Sequence, residues 1–270
     1  MLLLACGGIL SLLNVPVASS AANSIDVKHI AQAAPIDPQS PLWAQAKESE
    51  IPLSAQQIYQ PGGGGSTRQV KVRALEDGQT FSVRVSWADS TRNDEVGPVP
   101  SDMAAVQLPI DPAALPYQCM GQSSSRVNIW QWKAALEKQS RDSGGAVDLD
   151  SEGVRNLTSN GICRAVDTPG MQPSARSYWD GAEWHVVFQR AMAKGDYGTA
   201  PLQPGGTTSV AFAVWNGAMG ETRGMKSVST WNTLAFEQAQ QGSATGLVSL
   251  GAVVIISVAL IAYAMRRLAD

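Results

Sequence analysis

Residues 81–87 read Phe-Ser-Val-Arg-Val-Ser-Trp, so large apolar side chains alternate with polar ones along this segment. Because successive side chains of a β-strand point to opposite faces of a sheet, the alternation predicts a strand with one buried face. Residues 70–74 alternate in the same way, and the pair Asp77-Gly78 between the two segments is typical of a tight turn. The two segments therefore predict a β-hairpin that covers a hydrophobic core.

Further short strands are expected at residues 102–109, 184–190 and 210–215. In the second of these segments four side chains share one face of the predicted strand, namely Trp184, Val186, Phe188 and Arg190. Many short alternating strands joined by polar loops are typical of an antiparallel β-sandwich. The sequence thus predicts a mainly β protein, an antiparallel β-sandwich with a few short helices.

Three segments are expected to lie outside the strands. Residues 130–138 read Trp-Gln-Trp-Lys-Ala-Ala-Leu-Glu-Lys, which favours a helix over an extended segment. Residues 139–176 are rich in Gly, Ser, Asp and Asn and are interpreted as one long polar loop, which in a compact domain is usually functional or an interface. Residues 61–66, Pro-Gly-Gly-Gly-Gly-Ser, are expected to form a loop as well.

The composition argues against nucleic-acid binding and against independent catalysis. The net charge is −3 and only 16% of the residues are charged, so the chain lacks the basic surface of a nucleic-acid-binding protein. No nucleophile elbow or dinucleotide-binding fingerprint is present, and the glycine run 62–65 is not followed by the Lys-Ser/Thr pair of a phosphate-binding loop. We infer that the chain by itself is not an enzyme.

The two ends of the chain are apolar and predict export and anchoring. Residues 2–17 are almost entirely apolar or small and are followed by Ala-Ser-Ser-Ala-Ala, which predicts a signal peptide over residues 1–22. Residues 247–265 carry no charge and precede Arg266-Arg267, and about 19 residues at about 1.5 Å each approach the hydrocarbon thickness of a bilayer. They predict one transmembrane helix with residues 266–270 in the cytoplasm, a buried core helix being the alternative. The body is therefore expected on the periplasmic, extracytoplasmic face of the membrane.

Two stretches carry a resemblance to a known family. The first is Cys119-Met120-Gly121 with residues 127–134, Val-Asn-Ile-Trp-Gln-Trp-Lys-Ala, and the second runs from Ala-Val-Trp-Asn-Gly at 213–217 to Gly-Met-Lys-Ser-Val-Ser-Thr-Trp at 224–231. Together they resemble the haem b-binding gamma subunits of periplasmic molybdenum enzymes of the DMSO reductase family. Ethylbenzene and dimethylsulfide dehydrogenases, selenate and chlorate reductases and nitrite oxidoreductase are enzymes of this type. The resemblance covers roughly residues 35–231.

The resemblance implies a cofactor, its ligands and an organisation of the chain. Met120 and Lys226 match the two axial ligands of a non-covalent haem b, where the lysine has to be deprotonated. An extended lead-in at 23–52, with a short helical patch at 43–49, precedes the haem-binding domain at 53–236. A linker at 237–246 then leads to the membrane segment.

The resemblance also implies the role of an electron-transfer subunit. Electrons would pass between the iron–sulfur subunit of a molybdenum oxidoreductase complex and an external carrier such as a c-type cytochrome. The molybdopterin-dependent active site would lie in another polypeptide of that complex.

Other residues near the two motifs leave alternatives open. Met219 and Met225 lie close to Lys226 in the chain, and either of them could replace it as a donor. His185 and His29 are interpreted as surface or sheet-face residues rather than ligands. Three side chains of the first motif are expected to line either the haem or the wall behind it, namely Asn128, Trp130 and Trp132.

Two cysteines, Cys119 and Cys163, remain after removal of the signal peptide. Because exported proteins mature in an oxidising compartment, we expect them to form a disulfide that fixes the Met120 loop, with two free thiols as the alternative. Their spacing does not match a zinc site, and only two histidines are available.

The tryptophan content supports an alternative function. The chain has eight Trp against four Phe, and exposed indole rings stack on sugars and other flat ligands. A membrane-anchored sandwich that binds carbohydrate or another small ligand without haem is therefore the second hypothesis.

Overall fold

The computed structural model describes residues 24–58, 60–116, 120–143, 153–196 and 198–238. In this part of the chain fourteen strands and three short helices occur. The strands are β1 Ser24–His29, β2 Ser49–Pro52, β3 Ser54–Ala55, β4 Gln69–Glu76, β5 Thr80–Ala88, β6 Met103–Pro109, β7 Val127–Lys133, β8 Val154–Ser159, β9 Val166–Asp167, β10 Ser174–Trp179, β11 Glu183–Ala191, β12 Thr207–Trp215, β13 Ser227–Val228 and β14 Asn232–Phe236. The helices are a 3-10 turn Pro41–Gln45, α1 Ala134–Asp142 and a 3-10 turn Gly217–Met219.

The strands follow one hydrogen-bonded path, β10-β11-β5-β4-β1-β14-β12-β6-β7-β8-β9. Strand β12 belongs to two sheets, because residues 207–210 pair with β14 and residues 211–215 pair with β6. We call the strands from β10 to β14 along this path, with β2 beside β4, the first sheet. The second sheet contains the end of β12 and β6 to β9, with β13 beside β12 and β3 beside β13.

The core lies between the two sheets. Trp87 and Trp184 of the first sheet contact Trp132 of the second sheet, with ring centroids 6.2 and 5.2 Å apart. Arg190, only 2% exposed, lies over the ring of Trp130, 5.0 Å from its centroid. The two layers therefore face each other as the predicted sandwich requires, and the predicted shared face of β11 points into its core.

The predicted strands are present. The hairpin of β4 and β5 pairs Val72 with Val85, and their side chains lie in the core. Strands β6, β11 and β12 cover the segments expected at residues 102–109, 184–190 and 210–215. Local alternation was sufficient in these segments because each strand directs one alternating set of apolar side chains into the core, although β11 and β12 also bury Val187 and Trp215 on their other face.

The helical interpretation of residues 130–138 is wrong for its first four residues. Strand β7 runs through Lys133 and pairs with β6 and β8, and only from Ala134 does the chain form α1. Both faces of β7 are buried, because Trp130 and Trp132 point into the core while Ile129 packs on the opposite face. Hydrogen bonds to two neighbouring strands and burial on both faces override the local helical preference.

The interpretation of residues 139–176 as one loop is also wrong. The described part of this segment contains β8, β9 and the start of β10. Its polar side chains are satisfied inside the sheet, as at Asn156, which accepts a 2.7 Å hydrogen bond from the amide of Asn128. A polar composition therefore does not exclude a strand when a partner side chain supplies the hydrogen bonds.

The lead-in at 23–52 contributes a strand to the middle of the first sheet. Strand β1 lies between β4 and β14 and runs parallel to both, so the sandwich is not purely antiparallel. The short helix forms at Pro41–Gln45 rather than at 43–49. Trp43 anchors it, since the buried indole N–H donates to the carbonyl of Asp37.

Neither end of the chain belongs to the described residues. Within residues 24–238, apart from the gaps given above, no helix is long and apolar enough to cross a membrane. The signal peptide at 1–22 and the transmembrane helix at 247–265 lie outside the described residues, as does most of the linker at 237–246. These assignments remain predictions.

Asp102, directly before β6, is a buried carboxylate that ties three parts of the fold together. Its oxygens accept hydrogen bonds from the backbone N–H of Asn93 and Gly217 and from the indole N–H of Trp184, at 2.8–3.0 Å. The pKa of Asp102 is raised to about 6, and burial of the carboxyl group is the largest cause. The folded protein therefore favours the neutral form more than the unfolded chain does.

The raised pKa predicts how Asp102 affects stability. Its contribution is fully present below the unfolded pKa near 4 and is lost as the pH rises through about 6. As the pH rises from 4 to 6, the free energy of unfolding of the native protein should therefore fall relative to that of Asp102→Asn. The fall should be at most about 1.4 kcal/mol per pH unit. Denaturant unfolding of both proteins across this range measures the difference, and a pH-independent difference would contradict the assignment.

Candidate functional site

The face of the second sheet that points away from the core carries a grid of three rows across the strands. The first row is Trp215, Met103 and Lys133; the second is Val228, Ala213, Ala105, Gln131 and Arg155; the third is Ala211, Gln107, Ile129 and Leu157. Most of these side chains are apolar, and three of them are alanines. The grid therefore forms a floor with little side-chain bulk at its centre.

Two adjoining cavities, of about 470 and about 70 Å³, lie on this floor. Met120 and Lys226 line both of them, as do Gln131 and Trp215. Met120 precedes β7, whereas Lys226 directly precedes β13. The fold therefore brings the two sequence-predicted ligand residues to one site from distant parts of the chain.

The backbone at Met120 is strained and held in place. Met120 and Gly121 have φ angles of 61° and 76°, in the left-handed region. The N–H of Gly161 donates to the carbonyl of Met120 at 2.9 Å, and a Cβ at position 121 would lie 2.9 Å from the carbonyl oxygen of Ser159. Glycine is required at 121 for this close approach to the end of β8.

Strained residues are concentrated at this site. Within the described residues, three non-glycine residues have a positive φ, and all three line the larger cavity: Met120, Cys163 and Arg223. Each such residue costs about 1–3 kcal/mol, and strain of this kind clusters at ligand-binding positions because the surrounding structure enforces it. The clustering makes the cavity a candidate binding site on grounds that do not depend on the sequence motifs.

The backbone of Lys226 is fixed by residues from the start of the domain. Its N–H donates to the carbonyl of Gly63 at 3.1 Å, and its carbonyl accepts from the N–H of Gln56 at 3.0 Å. The buried amide of Gln56 also donates to the carbonyl of Gly224. The Lys226 Nζ lies 4.8 Å from the centroid of the Trp215 ring, a cation–π contact.

Two further features hold this loop. A Cβ at Gly64 would lie 2.3 Å from the backbone nitrogen of Lys226, so the glycine run lets two chain segments approach closely. Glu221, only 2% exposed, accepts from the N–H of Asn216 and of Ser66, each at 3.0 Å, and joins the same two segments. The roles of Gly64 and Glu221 were not predicted from the sequence. The run of four glycines was the one feature that could have indicated a close approach of two chain segments.

The other sequence candidates lie elsewhere. Met219 is 65% exposed, and neither it nor Met225 lines the two cavities. His185 contacts Ser86 and His29 contacts Glu76, all on the first sheet. The remaining motif side chains point to the opposite side of β7, into the core, namely Asn128, Trp130 and Trp132. They form the wall behind the site.

The charged side chains at the site are all of one sign. Four cations line the cavities, and no carboxylate does among the described lining residues. Arg155 is paired with Asp167 through three hydrogen bonds, at 2.7–3.1 Å. Cys163 is exposed at the cavity edge, whereas Cys119 lies outside the described residues, so the disulfide remains a prediction.

Comparison with known proteins identifies similar chains. The family model described as ethylbenzene dehydrogenase matches residues 40–174 and 170–227. A protein of Haloferax mediterranei named as a respiratory nitrate reductase heme subunit is 30% identical over 84% of this chain and 78% of its own length. The chlorate reductase subunit gamma of Ideonella dechloratans is 27% identical, covering 74% and 79%. The dimethylsulfide dehydrogenase subunit gamma of Rhodovulum sulfidophilum is 26% identical, covering 72% of each chain.

Among solved structures, a family 9 carbohydrate-binding module of Caldicellulosiruptor kristjanssonii in complex with glucose is similar to this chain. Its TM-score is 0.45 at 10% identity, and the match covers 82% of this chain and all of that one.

The packing of Gly64 against Lys226 predicts a specific effect of a methyl group. Gly64→Ala should lower the free energy of unfolding by about 2 kcal/mol more than Gly78→Ala, because overpacking costs about 1–3 kcal/mol. Gly78 is the matched control, since its φ of +85° equals that of Gly64 (+83°) within 2° while a Cβ there meets nothing within 4 Å. Denaturant unfolding of both variants tests this, and equal losses would show that the contact is not restrictive.

Proposed function

Because the chain belongs to the ethylbenzene dehydrogenase family, we propose that it is an electron-transfer subunit that holds one non-covalent haem b between Met120 and Lys226. The observation that carries the proposal is that these two residues line the same two cavities. The motif resemblance selected them from the sequence alone, without regard to where the fold would place them.

The residues at the site fit such a group. A thioether and an amine are both donors that haem iron accepts, and Met120 and Lys226 supply one of each. The floor between them carries Ala105 and Ala213 at its centre, so a flat ring meets no bulky side chain there. Ile129 and Leu157 add apolar surface, which the macrocycle requires.

The chain's own residues position the two donors. The bound haem supplies reversible one-electron transfer, and a methionine ligand raises its potential. Hydrogen bonds from Gln56 and to Gly63 fix the backbone of Lys226, while the strained loop fixes Met120. Ligation requires the neutral amine, so binding releases a proton and haem affinity should rise with pH.

The chain acts as a non-catalytic subunit of an oxidoreductase complex. Two of the similar proteins are named as gamma subunits, of chlorate reductase and of dimethylsulfide dehydrogenase, and the third as a heme subunit. These names support partners of the kinds that the resemblance implies. They are an iron–sulfur subunit, a molybdopterin catalytic subunit and an external carrier such as a c-type cytochrome.

Burial of the tryptophans weakens the alternative of a sugar-binding module. Six of the eight rings are buried: Trp43, Trp87, Trp130, Trp132, Trp184 and Trp215. Because sugar recognition by stacking requires exposed ring faces, these six cannot form such a platform. No specific contact in the described residues favours this second function.

Variants of the two proposed ligands test the haem site. Met120→Ala and Lys226→Ala should each lose the low-spin spectrum, because each removes one axial donor. Met219→Ala and Lys194→Ala are controls of the same residue types, and both positions are exposed and outside the cavities. Absorption spectra of the oxidised and reduced proteins provide the readout. Unchanged spectra in both ligand variants would contradict the assignment, and a native protein without a Soret band would favour the sugar-binding alternative.

We also propose that the body lies on the extracytoplasmic face, held by residues 247–265 with Asp270 in the cytoplasm. The charge-free segment and Arg266-Arg267 behind it support this orientation. Protease added to spheroplasts should digest the body while a cytoplasmic marker survives. Complete protection of the body in spheroplasts that lose a known periplasmic protein would contradict the orientation.

A further inference from the structure

The cations of the site are concentrated at one end of the grid. Lys133 lies in the first row, and Arg223 lines the same cavity from the loop that leads to Lys226. The third row, at the other end, consists of neutral side chains, namely Ala211, Gln107, Ile129 and Leu157. The floor therefore changes from neutral and largely apolar to positively charged along the direction of the strands.

Lys133 and Arg223 differ from Arg155 in their pairing. The guanidinium of Arg155 donates three hydrogen bonds to the carboxylate of Asp167, so its charge is compensated. Within the described residues, neither Lys133 nor Arg223 forms an ion pair with a carboxylate, and no carboxylate lines the cavity. Two uncompensated cations thus face a cavity in a chain whose net charge is −3.

The backbone of Arg223 shows that its position is enforced. Its φ of 52° lies in the left-handed region, which is unfavourable for arginine. Its carbonyl accepts a 3.0 Å hydrogen bond from the indole N–H of Trp215, a residue of the cavity floor. Strain of this kind persists only where the surrounding structure enforces it, and the contact with Trp215 fixes the Arg223 backbone at the edge of the cavity.

We infer that Lys133 and Arg223 bind the two carboxylates of the haem propionates, an inference that rests on the proposed function. The haem ring has two chemically different edges: one carries the propionates, and the other carries only methyl and vinyl groups. Carboxylates next to apolar surface require cationic partners, and a guanidinium binds them through two hydrogen bonds. The charged end of the cavity therefore accepts the propionate edge, and the neutral end accepts the hydrocarbon edge, so the ring enters in one orientation.

Comparing the affinities for haem and for its dimethyl ester separates recognition of the propionate charges from binding of the ring. The ester keeps the ring and the iron but has no propionate charge. Full-length apoprotein is titrated with each compound in detergent solution. The native protein should bind haem at least about tenfold more tightly than the ester. Arg223→Gln and Lys133→Gln should each weaken haem binding about tenfold and leave ester binding unchanged.

Two controls make the test specific. Lys194→Gln removes an exposed charge outside the cavity, so it should not change the preference for haem. The Soret position of the haem-bound Arg223 and Lys133 variants should match the native one, since the axial donors are intact.

The outcomes distinguish this inference from the proposed function. Equal affinity of the native protein for haem and ester would overturn the inference and leave the haem site standing. If the Arg223 and Lys133 variants lost affinity for haem and for the ester equally, the inference would also be overturned, because the two residues would then support the structure of the site and not bind propionates. A native protein that binds neither compound would overturn the proposed function together with the inference.

Discussion

The hydrogen bonds of β12 join the two sheets, since residues 207–210 pair with β14 and residues 211–215 with β6. This shared strand fixes how the layers face each other, and its inward side chains belong to the common core. Its outward side chains, Ala213 among them, form part of the floor of the cavity. The chain that leaves β12 turns through Gly217–Met219 and returns as β13, which places Lys226 above the floor. Core and site are therefore built from opposite faces of the same strand.

The site is rigid because backbone hydrogen bonds and close packing hold its loops. Gln56 and Glu221 connect the segment before β4 to the loop of Lys226, and Gly64 allows the contact. The strain at Met120, Cys163 and Arg223 persists only because such contacts enforce it. A prearranged site loses less conformational entropy when a ligand binds, since the donors are already ordered. The charge asymmetry adds a direction to this arrangement, because it distinguishes the two ends of the cavity.

The sequence motifs named the two residues of the site, and the fold supplied their surroundings. Met120 and Lys226 followed from the resemblance to a family, whereas chemical reasoning about single residues would not have selected a lysine. Gln56 and Glu221 were missed, because their roles depend on partners more than 150 residues away. No local pattern encodes such a contact. The cluster of strained residues was equally invisible, since left-handed backbone at a non-glycine residue is enforced by neighbours and not by composition.

The sequence by itself determined the strands in which apolar side chains alternate with other residues. Phe81, Val83, Val85 and Trp87 alternate with polar residues, and the period of two requires no information from elsewhere in the chain. Only the tertiary structure decided β7 and β8. Trp130 and Trp132 carry apolar surface that either a helix or a strand could bury, and the pairing of β7 with β6 and β8 selects the strand. Likewise Asn156 is stable inside a sheet only because Asn128 donates to it. Where the local pattern fits either a helix or a strand, or where polar groups satisfy one another, the deciding energy comes from residues that are distant in sequence.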